Sequence, residues 1–252
     1  VWYCKKWSWG NSESTEIYHD PETRKNSISF RSNLSRLSEA LILEEQYDRA
    51  EEIIDLAFEK MPIDFYGYYS LWTPLIEGYY KIDKDLKAQV VVKKISLKYS
   101  DRLNYYSSLE IFNQYNVGDE IISDIERYRN LIETMLVFDA SEITVDEIKR
   151  FISSSEKFNF IYGEFDYYMS VSDFIVSLVK SNELEYSKQI IDKIEDLLIR
   201  RTSVFSNLDE DEQIFYIEGI TSDINNYNKI INSLELLNSE FYENYKKNLD
   251  EL

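Results

Sequence analysis

The chain has 252 residues, 44% of them hydrophobic and 15% aromatic, enough to bury a real core and too apolar for a disordered tail. Lys and Arg number 28 against 47 Asp and Glu, and the resulting net charge of −19 would repel a nucleic-acid backbone or an anionic membrane surface. With Cys4 the single cysteine and His19 the single histidine, an internal disulfide and a four-ligand His/Cys zinc site are both excluded.

Residues 1–27 place Trp2, Trp7 and Trp9 among polar residues, with Asn11-Ser12-Glu13-Ser14 and Asp20-Pro21-Glu22 as turn signals. An irregular, aromatic-rich arm is expected there, its tryptophans packed on a helical body. The chain opens on Val1 with no charged-then-apolar leader, which suggests a piece of a longer protein. Its longest uncharged run, Phe65 to Ile76, is 12 residues. A bilayer span needs about 20, so the chain as given is expected to be soluble. All three prolines, Pro21, Pro62 and Pro74, lie in the first third. From Leu75 onward only four isolated glycines could interrupt a helix, and the expected class is all-α.

Residues 28–109 carry two helix pairs. Phe30, Leu34, Leu37 and Leu41 fall on one face of a helix over Ser29 to Glu45. Asp48 to Met61 follows with Ala50, Ile53, Ile54, Ala57 and Phe58, and stops at Pro62. The second pair covers Tyr69 to Ile82 and Leu86 to Tyr99, with Pro74 in the first turn of its leading helix. Leu34, Leu37, Leu41, Ala50, Ile54 and Ala57 are separated by 3, 4, 9, 4 and 3 residues. Trp72, Leu75, Tyr79, Ala88, Val92 and Ile95 repeat those separations 38 residues later. Bulky residues leading into small ones at this spacing resemble tetratricopeptide (TPR) repeats, whose period is about 34 residues. The resemblance implies TPR-like antiparallel helix hairpins, an α-α superhelix, followed by a C-terminal helical bundle.

Residues 110–252 read as that C-terminal helical part. Gly118 to Phe138 and Val145 to Tyr162 are amphipathic stretches without the small-residue landmarks. A degenerate third copy is expected at 168–201, where Val171, Phe174, Leu178, Ser187, Ile191 and Ile194 take the same spacing. Leu208 to Leu252 supplies one or two closing helices, polar enough to cap a stack of repeats.

The glycines form no phosphate-binding loop, and His19 sits beside Asp20-Pro21 with no nucleophile motif. Catalytic, cofactor-binding and metal-binding residues are therefore expected to be none. Glu39 and Glu77 occupy equivalent positions on the two leading helices. A groove for a protein or peptide partner is expected between walls of Ser35, Arg36, Glu39, Ile42, Thr73, Glu77 and Tyr80. Arg31 and Arg36 would clamp a carboxylate or phosphate, and no nucleic-acid partner is expected.

A string of motifs adds a second resemblance: Lys6-Trp7-Ser8-Trp9-Gly10-Asn11, Ile17-Tyr18-His19-Asp20, Arg31-Ser32-Asn33-Leu34-Ser35-Arg36-Leu37-Ser38-Glu39-Ala40-Leu41, Met61-Pro62, Tyr68-Tyr69-Ser70-Leu71, Gly78-Tyr79-Tyr80 and Leu103-Asn104-Tyr105-Tyr106. Together they resemble the soluble C-terminal part of large multispanning bacterial membrane proteins of unknown function, related to protein O-mannosyltransferase-like membrane proteins. The resemblance spans Lys6 to Leu109 and continues less strongly through Asp124-Ile125-Glu126-Arg127-Tyr128. It implies a domain on the periplasmic side of the bacterial inner membrane, attached to a membrane portion of glycosyltransferase type. On that reading the domain is a non-catalytic interaction module. The alternatives are that it completes a membrane-embedded sugar transferase through Glu39, Glu77 or Arg31 and Arg36, or serves only assembly.

Overall fold

The computed structural model describes residues 8–138 and 141–249, which are helical with no strand among the described residues. In chain order the first helices are α1 (Pro21–Leu43), α2 (Tyr47–Lys60), α3 (Ile63–Tyr66), α4 (Thr73–Lys81), α5 (Asp85–Ser107), α6 (Ile111–Asn116) and α7 (Gly118–Phe138). There follow α8 (Glu142–Ser155), α9 (Asn159–Tyr162), α10 (Glu164–Ser170), α11 (Ser172–Lys180), α12 (Leu184–Ser206), α13 (Glu210–Leu234) and α14 (Ser239–Leu249). The chain divides into two compact units, residues 1–106 with 122–151, and residues 107–121 with 152–252.

In the first unit, α1 begins at Pro21, inside the stretch expected to be irregular. Asp20 is the cause: its Oδ1 accepts from the amides of Glu22 and Thr23 at 2.9 and 3.0 Å. Pro21 then occupies the opening turn, where a missing N–H costs little. Trp2 and Trp7 lie outside the described residues, while Trp9 packs on Phe30 with ring centroids 6.0 Å apart. Ser12 fastens the arm to the body by donating to the Lys60 carbonyl at 2.6 Å and accepting from the Tyr66 hydroxyl at 3.0 Å.

The core of this unit is aromatic. Trp72, fully buried, stacks on Phe58 at 4.5 Å, and Phe58 continues to Tyr79 at 5.8 Å. Tyr99 stacks on Tyr128 at 5.6 Å, and Tyr128 meets Phe151 edge-on at 5.4 Å. Polar pairs tie the helices together: Tyr79 donates to Asp55 at 2.7 Å and Tyr128 to Glu147 at 3.1 Å. Arg102 reaches the buried Asp124 at 2.9 Å.

Three helix hairpins close with the same turn. Glu45, Asp83 and Asn182 take left-handed φ values of 58°, 58° and 62°. The next amides, of Gln46, Lys84 and Glu183, donate to the carbonyls of Leu41, Tyr79 and Leu178 at 2.8, 2.9 and 2.8 Å. Each bond satisfies a carbonyl that the end of a helix would leave orphaned. Among the side chains at the repeated spacing, all but the half-buried Leu37 are buried, those of α11 and α12 included.

In the second unit, α12, α13 and α14 are joined by Tyr227 donating to Glu195 at 2.5 Å and Tyr245 donating to Asp192 at 2.7 Å. The stretch expected to run from Val145 to Tyr162 is not one helix: α8 stops at Ser155, a 3-10 turn over Glu156–Phe158 carries Phe158 into the core, and α9 follows. A reciprocal cap starts α13, where Asp209 accepts from the Glu212 amide at 3.0 Å and Glu212 from the Asp209 amide at 3.4 Å. The first residue that α13 buries is Tyr227.

Candidate functional site

Two stripes of residues at helical spacing face each other across the first unit. Ser35, Ser38, Glu39 and Ile42 run along α1, extended by Leu43, and Pro74, Glu77, Gly78 and Lys81 run along α4. Between them lies a notch of about 160 Å³. It is smaller than the roughly 300 Å³ at which pockets for small-molecule ligands begin, and its size suits one inserted side chain.

Gly78 lines the α4 side of the notch. A Cβ there would meet Ile54 Cδ1 at 2.8 Å and Ile42 Cδ1 at 3.7 Å, so the bare backbone lets α4 approach its neighbours closely. Ser38 is buried and donates to the Ser35 carbonyl at 2.8 Å, which keeps its hydroxyl folded against α1. At the rim Lys81 meets Glu77 at 3.3 Å, both half-exposed, and Glu39 is exposed. The notch thus presents carboxylates beside a short apolar wall, with one ammonium group already paired to Glu77.

No family model, curated protein or solved structure matches this chain. The site must stand on its own geometry.

Of the expected groove residues, Ser35, Glu39, Ile42 and Glu77 come together. Thr73 is half-buried and Arg36 exposed, and neither lines the notch. Tyr80 is a core residue, its ring stacked on Phe138 at 5.5 Å and 1°. The physical reason for the mismatch is that repeat equivalence pairs identical faces of successive helices. Here α1 offers the face it turns toward α4 and α4 the face it turns toward α1, so the α4 wall is offset from the positions equivalent to Ser35 and Ile42. Completing the helical stripe from Glu77 in steps of three and four would have found Pro74, Gly78 and Lys81.

Arg31, too, is no part of a groove wall. It is 0% exposed, and its guanidinium donates to the Gly67 carbonyl at 2.8 Å and to the Ser27 hydroxyl at 3.0 Å. The group lies 5.0 Å above the Trp72 ring. Burial brings its pKa down to about 10, against the opposing influence of Tyr66 and Tyr68. It remains a cation at neutral pH, solvated by protein carbonyls and rings, and it fastens the loop before α4. With Arg31 inside and Arg36 outside, the two form no anion clamp.

His19 is occupied as well, stacked on Phe65 at 5.2 Å with Nε2 3.1 Å from the Ser14 carbonyl. Among the described residues no group of three His, Cys, Asp or Glu side chains is arranged to hold a metal ion, and no helix is long and apolar enough to cross a membrane.

Proposed function

We propose that this chain is a TPR-like helical-repeat scaffold that binds a protein or peptide segment, with the notch between α1 and α4 receiving one side chain of the partner. The observation that carries this reading is the common register of the α1–α2, α4–α5 and α11–α12 hairpins, with a left-handed residue at the same turn position and the same closing hydrogen bond in each. Helix pairs of this kind present their leading helices as a recognition surface. Glu39 and Glu77 favour a partner side chain that donates hydrogen bonds or carries positive charge. The run of motifs from Lys6 to Leu109 supports a further proposal, that the scaffold is the periplasmic, soluble C-terminal part of a membrane protein of glycosyltransferase type. In that setting it would hold a protein substrate or subunit near the membrane portion.

The test is selection from a displayed random-peptide library against the full chain, with two variants as comparators. Ser35→Trp fills the notch, and Glu126→Ala changes an exposed position on α7. Peptides that bind the wild-type chain and the Glu126→Ala variant but not Ser35→Trp support the reading. Enrichment that survives Ser35→Trp, or no enrichment at all, overturns it.

A further inference from the structure

The notch between α1 and α4 holds two carboxylates with unused bonding capacity. Glu77 accepts from Lys81 through Oε2 at 3.3 Å, which leaves its other carboxylate oxygen open. Among the described residues Glu39 has no hydrogen-bond or ion-pair partner. The two stand on opposite walls, Glu39 on α1 and Glu77 on α4. Lys81 is the one cation among the residues lining the notch, and Arg36, three residues before Glu39, is exposed outside it. An exposed pair four residues apart on a helix, as Glu77 and Lys81 are, holds its members only weakly, so Glu77 can turn toward a second donor at little cost.

The walls also set the kind of cation that fits. Ile42, Leu43 and Pro74 place apolar surface beside the carboxylates, with Leu43 81% exposed. A bare hydrated ion gains nothing from such a surface, whereas Lys and Arg lay their methylene stems along it and carry the charge at the tip. The volume of about 160 Å³ equals the share of about five waters in the liquid, which is room for one extended side chain. An ammonium is compact and strongly hydrated, and Lys81 already supplies one. A guanidinium is more weakly hydrated and spreads five N–H donors over a planar fork, so it reaches oxygens on both walls at once. The Ser38 hydroxyl, turned to the Ser35 carbonyl, offers no competing donor. On the reading of the notch as the entry point of one partner side chain, we infer that this side chain is an arginine. Its stem lies along Ile42 and Pro74, and its guanidinium is shared between Glu39 and Glu77. The partner is thus an arginine-bearing peptide segment, of the charge that a chain at −19 draws toward itself. Lys81 becomes an internal competitor for Glu77, so its removal should strengthen the contact.

Peptides selected on the full chain and lost on Ser35→Trp are expected to share one arginine. For one such synthetic peptide, titration calorimetry should show binding about tenfold weaker when that arginine is replaced by citrulline, which keeps its shape and removes its charge, and a smaller loss with lysine. Glu39→Gln should weaken the arginine peptide by about fivefold and leave the citrulline peptide close to its starting affinity. Lys81→Gln should tighten the arginine peptide by about twofold or more. Glu39 and Lys81 are both exposed, so circular dichroism of the two variants should match the parent chain. Peptides that depend on the notch but share no arginine, or an arginine that citrulline replaces without loss, overturn the inference and leave the peptide scaffold standing. Equal weakening of arginine and citrulline peptides by Glu39→Gln overturns it too, as a structural effect, and a Lys81→Gln variant that binds no tighter removes Glu77 from the shared contact. If no peptide is sensitive to Ser35→Trp, the scaffold reading itself fails and the arginine site with it.

Discussion

The α1–α2 and α12–α13 hairpins contain comparable apolar residues and treat them in opposite ways. In the first, Ala50, Ile53, Ile54 and Ala57 are buried along the whole of α2, because α1 and α4 both pack against it. In the second, Tyr227, Ile230, Ile231 and Leu234 are buried only in the last turns of α13, where the other helices of the unit reach it. Amphipathic patterning makes a helix, and a neighbouring helix pair decides whether its face is covered. The uncovered half keeps Val204, Ile214, Phe215, Tyr216 and Ile217 exposed.

The largest test of that contrast is truncation of one aromatic in each region. Trp72→Ala removes a fully buried ring stacked on Phe58 and should cost about 3–5 kcal/mol. Phe215→Ala, at an exposed position, should change the stability of the isolated chain by no more than about 0.5 kcal/mol. Urea unfolding at low protein concentration measures both. Equal losses would mean that the distal hairpin is packed after all. Next in size is Arg31→Met, which keeps the bulk of the side chain but leaves the Gly67 carbonyl without its donor, at a cost of about 1–3 kcal/mol. Faster proteolysis near Gly67 should accompany it, and an unchanged unfolding midpoint would contradict the anchoring role.

Alkali should loosen both units. Tyr128 in the first and Tyr227 in the second have their hydroxyl pKa values raised, first by burial and then by Glu147 and Glu195 respectively. Both phenols stay protonated in the fold above pH 10, where they ionise in the unfolded chain. Their contribution is complete below the unfolded pKa of about 10 and is lost as pH rises toward the folded values, at up to about 1.4 kcal/mol per pH unit for each. Unfolding midpoints between pH 8 and pH 11 check this, and Tyr227→Phe should flatten the decline. A stability that stays level above pH 10 contradicts it.

The spacing of bulky and small residues made the helix pairs legible from the sequence, since period and size together report a buried face. The start of α1 was legible in principle, because Asp20-Pro21-Glu22 is a helix cap as much as a turn. What escaped is non-local. Arg31 takes its carbonyl partner 36 residues away, so nothing near it in the sequence distinguishes a buried cation from an exposed clamp. Tyr80 looked like a groove wall until Phe138 covered it. The notch was half legible, because helical spacing identifies each stripe while the angle at which α1 meets α4 chooses which stripes face one another. The left-handed turn at Glu45 was hidden by a side chain that seldom announces that conformation, whereas Asp83 and Asn182 adopt it more readily.

The smallest effects come from two glycines, and their signs should differ. Gly78→Ala places a methyl 2.8 Å from Cδ1 of the fully buried Ile54, so that side chain must shift within the core. Overpacking of that kind costs about 1–3 kcal/mol, from which about 1 kcal/mol of improved helix propensity is recovered. Gly219→Ala meets no atom within 4 Å and gains the propensity alone. The isolated chain should therefore be destabilised by roughly 0–2 kcal/mol in the first case and stabilised by up to about 1 kcal/mol in the second. Combining Gly78→Ala with Ile54→Val removes the clashing methyl, so the pair should be less than additive. Urea midpoints for the two single variants and the double variant measure all three effects. Opposite signs for Gly78 and Gly219 would show that the close approach of α4 to α2 is a packed contact while the distal hairpin is open in the single chain. Matching signs would mean that backbone propensity, and not the presence of a neighbouring helix, separates the two regions.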